Sequence, residues 1–168
     1  RYRTNPTGEP TILLGYAELQ QILAEAVVRG WINGNAQQYY ENSIRASFDW
    51  YSTYSGEYAK YISSSAAEEY IMGDKVKWDD ALSDEKKIEL IIFQKYCVSF
   101  FQGGWTPFFE HLRTGYPDFA HLADTPVPYR WMYPDTESKY NTENVQSAVK
   151  NQFGENNDKI TSMPWWLK

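Results

Sequence analysis

The chain has 168 residues, a formal net charge of −6 and a single cysteine. Its acidity argues against a nucleic-acid partner, which requires clustered Lys and Arg; one cysteine excludes an intrachain disulfide; and no apolar run reaches the length of a membrane-spanning helix. Aromatic residues are the outlier at 17%, with seven Trp and fourteen Tyr, so many must sit at or near the surface of so small a body.

Residues 1–11, with Pro6, Gly8 and Pro10, read as loop. An opening at Arg1, without Met or a targeting signal, leads us to expect a fragment of a longer protein. The first helix is expected from Tyr16 to Trp31. Leu19, Ile22, Leu23, Ala26 and Gly30 recur at three- and four-residue steps and read as its core face. Glu18, Gln21, Glu25 and Arg29 read as its solvent face, with Glu25 and Arg29 spaced to pair. A turn at Trp31-Ile32-Asn33-Gly34 follows, and Asn35 is placed to cap the next helix.

That second helix is expected from Ala36 to Tyr54, with Ala36, Tyr40, Ile44, Ser47, Phe48 and Tyr51 as its core stripe. Tyr39, Ser43, Ala46, Trp50 and Tyr54 form a neighbouring stripe. A short turn between two helices makes them antiparallel neighbours, a tetratricopeptide-like arrangement. Gly56 breaks the chain, and a third helix is expected from Glu57 to Met72 through a propensity-lowering Ser63-Ser64-Ser65 run. Gly73 to Leu82 reads as a polar link carrying Trp78.

The stretch from Ser83 to Pro117 reads as the centre of the body. Its polar start leads into Ile88 to Phe101, apolar nearly all round, which is the mark of a helix buried between layers. Cys97, between Phe93 and Phe100, reads as a buried structural thiol. Gly103-Gly104 interrupts the helix. A short one then starts with Thr106 as cap and Pro107 at its first position, ending at Gly115 and Pro117. Asp118 to Tyr140 reads as a long ordered loop held by Trp131, Met132 and Tyr133. Asn141 caps a last helix reaching Gln152, and the tail ends in Trp165-Trp166. The expected fold is an all-α, tetratricopeptide-like scaffold with long ordered loops, formed as a single domain.

Catalytic constellations are weak. The acid pairs Glu68-Glu69, Asp79-Asp80 and Asp84-Glu85 lie on polar segments and read as surface charge. His111 and His121 lack ligands at zinc spacing, and neither a Gly-x-Ser-x-Gly elbow nor a Gly-rich phosphate loop occurs. Asn156-Asn157-Asp158 reads as a polar turn rather than a cation site. Neither metal nor cofactor is expected.

Taken in order, the landmarks resemble the C-terminal half of the SusD/RagB family, in its starch-binding SusD-like branch. They are Tyr16-Ala17-Glu18 through Arg29-Gly30-Trp31; Tyr39-Tyr40-Glu41 with Ile44-Arg45-Ala46-Ser47; and Gln94-Lys95-Tyr96 with Gln102-Gly103-Gly104. Arg113-Thr114-Gly115-Tyr116-Pro117, Pro128-Tyr129-Arg130 with Tyr133-Pro134, and Asn141-Thr142-Glu143-Asn144 complete the series. Leu112 and Thr106-Pro107 depart from the family pattern within one short helix. The resemblance implies a non-catalytic, lipid-anchored nutrient receptor on the outer-membrane surface. It would pass a glycan or other nutrient to a SusC-like TonB-dependent channel, and its N-terminal half would be missing here. A helical protein–protein scaffold is the alternative, and a glycoside hydrolase fragment a third.

Sugar-binding proteins stack pyranose C–H faces on flat aromatic rings beside amide and carboxylate groups. Trp78, Trp105, Trp131 and Tyr54 are the candidate ligand contacts. Each also has a structural role open to it: Trp105 as a plug beside Gly103-Gly104, Trp131 as the anchor of its loop. Arg113 and Arg130 read as bonding loop carbonyls.

Overall fold

Asn35 and Ser83 begin two of the longest helices in the same way. Each side-chain oxygen accepts from the backbone N–H three residues on, Gln38 N at 2.9 Å and Lys86 N at 3.3 Å, satisfying a donor that the helix itself leaves orphaned. The computed structural model describes residues 10–100 and 102–167. The loop reading of residues 1–9, and the place of Phe101 on the central helix, lie outside the described residues.

Seven α-helices follow one another among the described residues, with no strand: α1 Tyr16–Val28, α2 Ala36–Tyr54, α3 Ser64–Ile71, α4 Asp84–Ser99, α5 Thr106–Thr114, α6 Asp135–Tyr140 and α7 Thr142–Phe153. The fold is all-α, as expected. The chain divides into two compact units after His111.

In the first unit, α1 and α2 form a helical hairpin, with α4 packed on α1 and α3 on α2. Gly30, at φ +72°, lets the backbone turn out of α1. The core gathers Ala24, Tyr40, Ile44, Ile71, Val76, Trp78 and Ile91. Tyr40 is fully buried; its ring lies 5.3 Å from Trp78, and its hydroxyl donates to the Val76 carbonyl at 2.8 Å. Burial pushes its phenol well above the ordinary value. The segment read as a polar link therefore supplies Val76 and Trp78 to the core.

Four further expectations in the first unit are corrected. First, α1 packs the other way round: it buries Ala17, Gln20, Gln21, Ala24 and Glu25, while Leu19 and Ile22 are each 41% exposed. Ala17 and Ala24 form a low-relief seam that a neighbouring helix can approach closely, and Glu25 is bonded by Arg29 at 2.7 Å. Second, α4 is buried on one side, not all round. Ile88, Ile91, Ile92, Gln94 and Lys95 face inward, whereas Phe93, Phe100 and Cys97 are exposed. Lys95 can be buried because its Nζ reaches Glu110 at 2.6 Å and Glu18 at 3.7 Å.

Third, the helix expected from Glu57 to Met72 is two pieces. A 3₁₀ turn, Gly56–Tyr61, precedes α3, and Ser63 caps α3 by accepting from Ala66 N at 3.1 Å. The Ser run that weakens a helix interior serves as a helix start. Fourth, Trp105 plugs no junction: it is 62% exposed, edge-on to Phe108 at 6.1 Å.

In the second unit, the end of the stretch expected as loop, residues 135–140, is helical. Asn141 stands at the cap of α7, yet its side-chain oxygen accepts from Asn144 Nδ2 at 2.6 Å instead of from a backbone N–H. Arg130 donates to Asp158 Oδ1 and to the Lys159 carbonyl, and its guanidinium lies 4.4 Å from the centre of the Phe153 ring. Asp158 Oδ2 accepts from Tyr133 N at 3.0 Å. Both Asp158 oxygens are thus engaged within the chain.

Two outcomes test this core by urea unfolding. Tyr40→Phe leaves the Val76 carbonyl without its hydroxyl partner and lowers stability by about 1–3 kcal/mol. Gln21 is 1% exposed, and neither of its amide atoms has a partner within the described chain. Gln21→Met therefore raises stability by about 1–3 kcal/mol, and a loss instead would show that this amide is bonded after all.

Candidate functional site

The residues read as ligand contacts occupy different surroundings. Trp78 is 6% exposed; its Nε1 donates to Asp80 Oδ1 at 2.9 Å, and Lys87 Nζ lies 6.0 Å from the ring centre. A depression of about 420 Å³ passes over it, but a ring so covered has no flat face to offer. Trp105 is exposed just before α5, and Trp131 is half-exposed in the second unit. Tyr54 lines a groove together with a second aromatic ring of its own helix, Trp50.

That groove, of about 540 Å³, lies at the open end of the α1–α2 hairpin. It falls within the size range of small-ligand sites. One wall is Tyr16, the first residue of α1 and 62% exposed. The other is a stripe of α2: Asn42, Ala46, Asp49 and Thr53 recur at three- and four-residue steps, flanked by Trp50 and Tyr54. The Trp50 and Tyr54 rings lie 4.5 Å apart, tilted by 45°. Aromatic rings, an amide, a carboxylate and a hydroxyl therefore border one concave surface, the residue set that stacks and hydrogen-bonds a sugar. Sequence reasoning placed Trp50 and Tyr54 on one stripe but singled out only Tyr54. The signal available was the spacing of Asn42, Asp49 and Trp50 along the same helix.

Arg45 also borders the groove, but its guanidinium is engaged elsewhere. Nε donates to Glu68 Oε1 at 2.6 Å, and Nη2 donates to Glu68 Oε2 and Glu41 Oε2, each at 3.0 Å. The hydrogen bond from Arg45 holds the Glu68 carboxyl below its ordinary value, and Glu68 in turn raises the Arg45 value. Among the described residues, no group of His, Cys, Asp and Glu is arranged to hold a metal ion.

Comparison with known proteins bears on this arrangement. Residues 2–134 match the family model SusD-like_2, described as starch-binding and associating with the outer membrane. The chain belongs to the SusD-like family. A SusD homologue from Bacteroides fragilis is 55% identical with a TM-score of 0.90, the match covering 97% of this chain and 36% of that one. An outer-membrane nutrient-binding candidate from Bacteroides vulgatus is 51% identical at a TM-score of 0.90, over 96% and 35% of the two chains. A chitin-binding SusD homologue from Flavobacterium johnsoniae is 25% identical at 0.73, over 90% and 36%. The SusD-like chain thus spans about a third of the length of these relatives. A comparison with curated proteins finds no match.

The Arg45–Glu68 pair predicts a pH dependence. A carboxyl held below its ordinary value of 4.5 stabilises the folded state above that pH and ceases to do so as pH falls through its lowered value. Wild type should therefore exceed Glu68→Gln in urea midpoint at neutral pH, and the gap should close in strong acid. An equal gap at both pH values would remove the pair as its cause.

Proposed function

We propose that this SusD-like chain is the glycan-contacting part of a non-catalytic nutrient receptor at the outer-membrane surface. In the whole, lipid-anchored protein it hands its ligand to a SusC-like TonB-dependent channel. The observation that carries the reading is the α1–α2 groove, where Tyr54, Trp50 and Tyr16 stand beside Asn42 and Asp49. Family membership and the chitin-binding relative support a saccharide as the occupant. Binding without catalysis is supported by the disposition of the carboxylates. Glu68 is ion-paired to Arg45 on the surface, and Asp80 is bonded to Trp78, so neither is poised as the protonated member of a hydrolytic pair.

Affinity electrophoresis in gels containing starch, glycol chitin, xylan or pectin tests the proposal. The chain should be retarded by at least one of them, with no new reducing ends released. Tyr54→Ala should weaken that retention about tenfold and, because its ring packs on Trp50, lower the melting temperature by a few degrees only. Binding to none of them together with tight binding to a peptide would move the function to a protein–protein scaffold, and release of reducing ends would move it to hydrolysis.

A further inference from the structure

The charge on the groove walls restricts which saccharide enters, an inference that rests on the glycan-binding reading. Arg45 is the one basic residue among those lining the groove and looks at first like a handle for an anionic sugar. Its Nε and Nη2 donors are given to Glu68 and Glu41. Two carboxylates face this single guanidinium, and Asp49, exposed on the same stripe of α2, adds a third. The local balance is negative, as is that of the chain at −6. An excess of negative charge around a groove lowers the local concentration of like-charged ligands, and a carboxylate or sulfate lodged there would lie near Asp49 while the one guanidinium on the wall is already ion-paired to Glu68 and Glu41.

An uncharged sugar meets the same groups favourably. Its C–H face lies on the Trp50 and Tyr54 rings, its hydroxyls donate to the Asp49 carboxylate, and the Asn42 amide both donates and accepts. We infer that the groove selects uncharged saccharides and repels uronate and sulfated glycans.

Calorimetry with maltoheptaose, xylohexaose and chitohexaose, against an oligogalacturonate and a chondroitin sulfate oligosaccharide, tests this. At least one neutral ligand should bind and both anionic ones should fail at the same concentrations. Tyr54→Ala and Asn42→Ala should each weaken the neutral ligand, and Asp49→Arg should confer measurable oligogalacturonate binding. Asn42 is only partly buried, so its variant keeps the test open should Tyr54→Ala unfold. An anionic glycan bound more tightly than every neutral one would overturn the selectivity. Neutral binding unchanged in both variants would overturn the groove while leaving the receptor function standing. Binding to none of the five would overturn both.

Discussion

The buried hydroxyl of Tyr40 is the constraint from which the first unit is built. A phenol can sit at the centre of a core only if its O–H finds an acceptor there. Val76 supplies that acceptor, so the chain after α3 has to turn back beneath α2. In doing so it brings Trp78 against the Tyr40 ring and closes the core over Ile44, Ile71 and Ile91. Gln94 and Tyr70 exchange a weaker contact between α3 and α4 at 3.2 Å, and Phe48 packs on Tyr70. The Arg45–Glu68 pair lies on the outer side of the same α2–α3 junction. One polar group thus fixes the path of a connection that has few apolar residues of its own.

Local chemistry made much of this legible. The span of α2 from Ala36 to Tyr54, the Asn35 cap and the Gly30 turn each depend on a residue and its immediate neighbours. What failed depended on packing. Periodicity gave α1 an apolar face and composition made α4 apolar nearly all round, but burial follows the neighbouring helix rather than the pattern along one helix. Ala17 and Ala24 admit a close neighbouring helix, and Gln21 and Glu25 go inward with them. Lys95 enters the interior because Glu110, fifteen residues on, meets it there, which spacing along one helix cannot reveal.

The candidate site divides in the same way. Composition and the family resemblance pointed to aromatic contacts, and Tyr54 does line a groove with Trp50 and Asn42. Trp78 looked loop-borne and available because its segment is polar. Its burial depends on Tyr40, 38 positions earlier, and on the Asp80 carboxylate that accepts from its indole. The groove itself needs Tyr16 of α1 beside the far end of α2, a juxtaposition that only the hairpin creates. The role of Arg45 was hidden for the same reason, since Glu68 belongs to another helix.

The outward turn of Cys97 has a practical side. It is the one thiol in the chain, and it stands exposed on α4 beside Phe93 and Phe100. A spin label or fluorophore could be attached there without any substitution, at a residue that does not line the α1–α2 groove. Partial desolvation raises the thiol above its ordinary value, so coupling will be slow at neutral pH and faster in mildly alkaline buffer. A probe at that position would report on whatever approaches α4 while leaving the residues that line the groove unaltered.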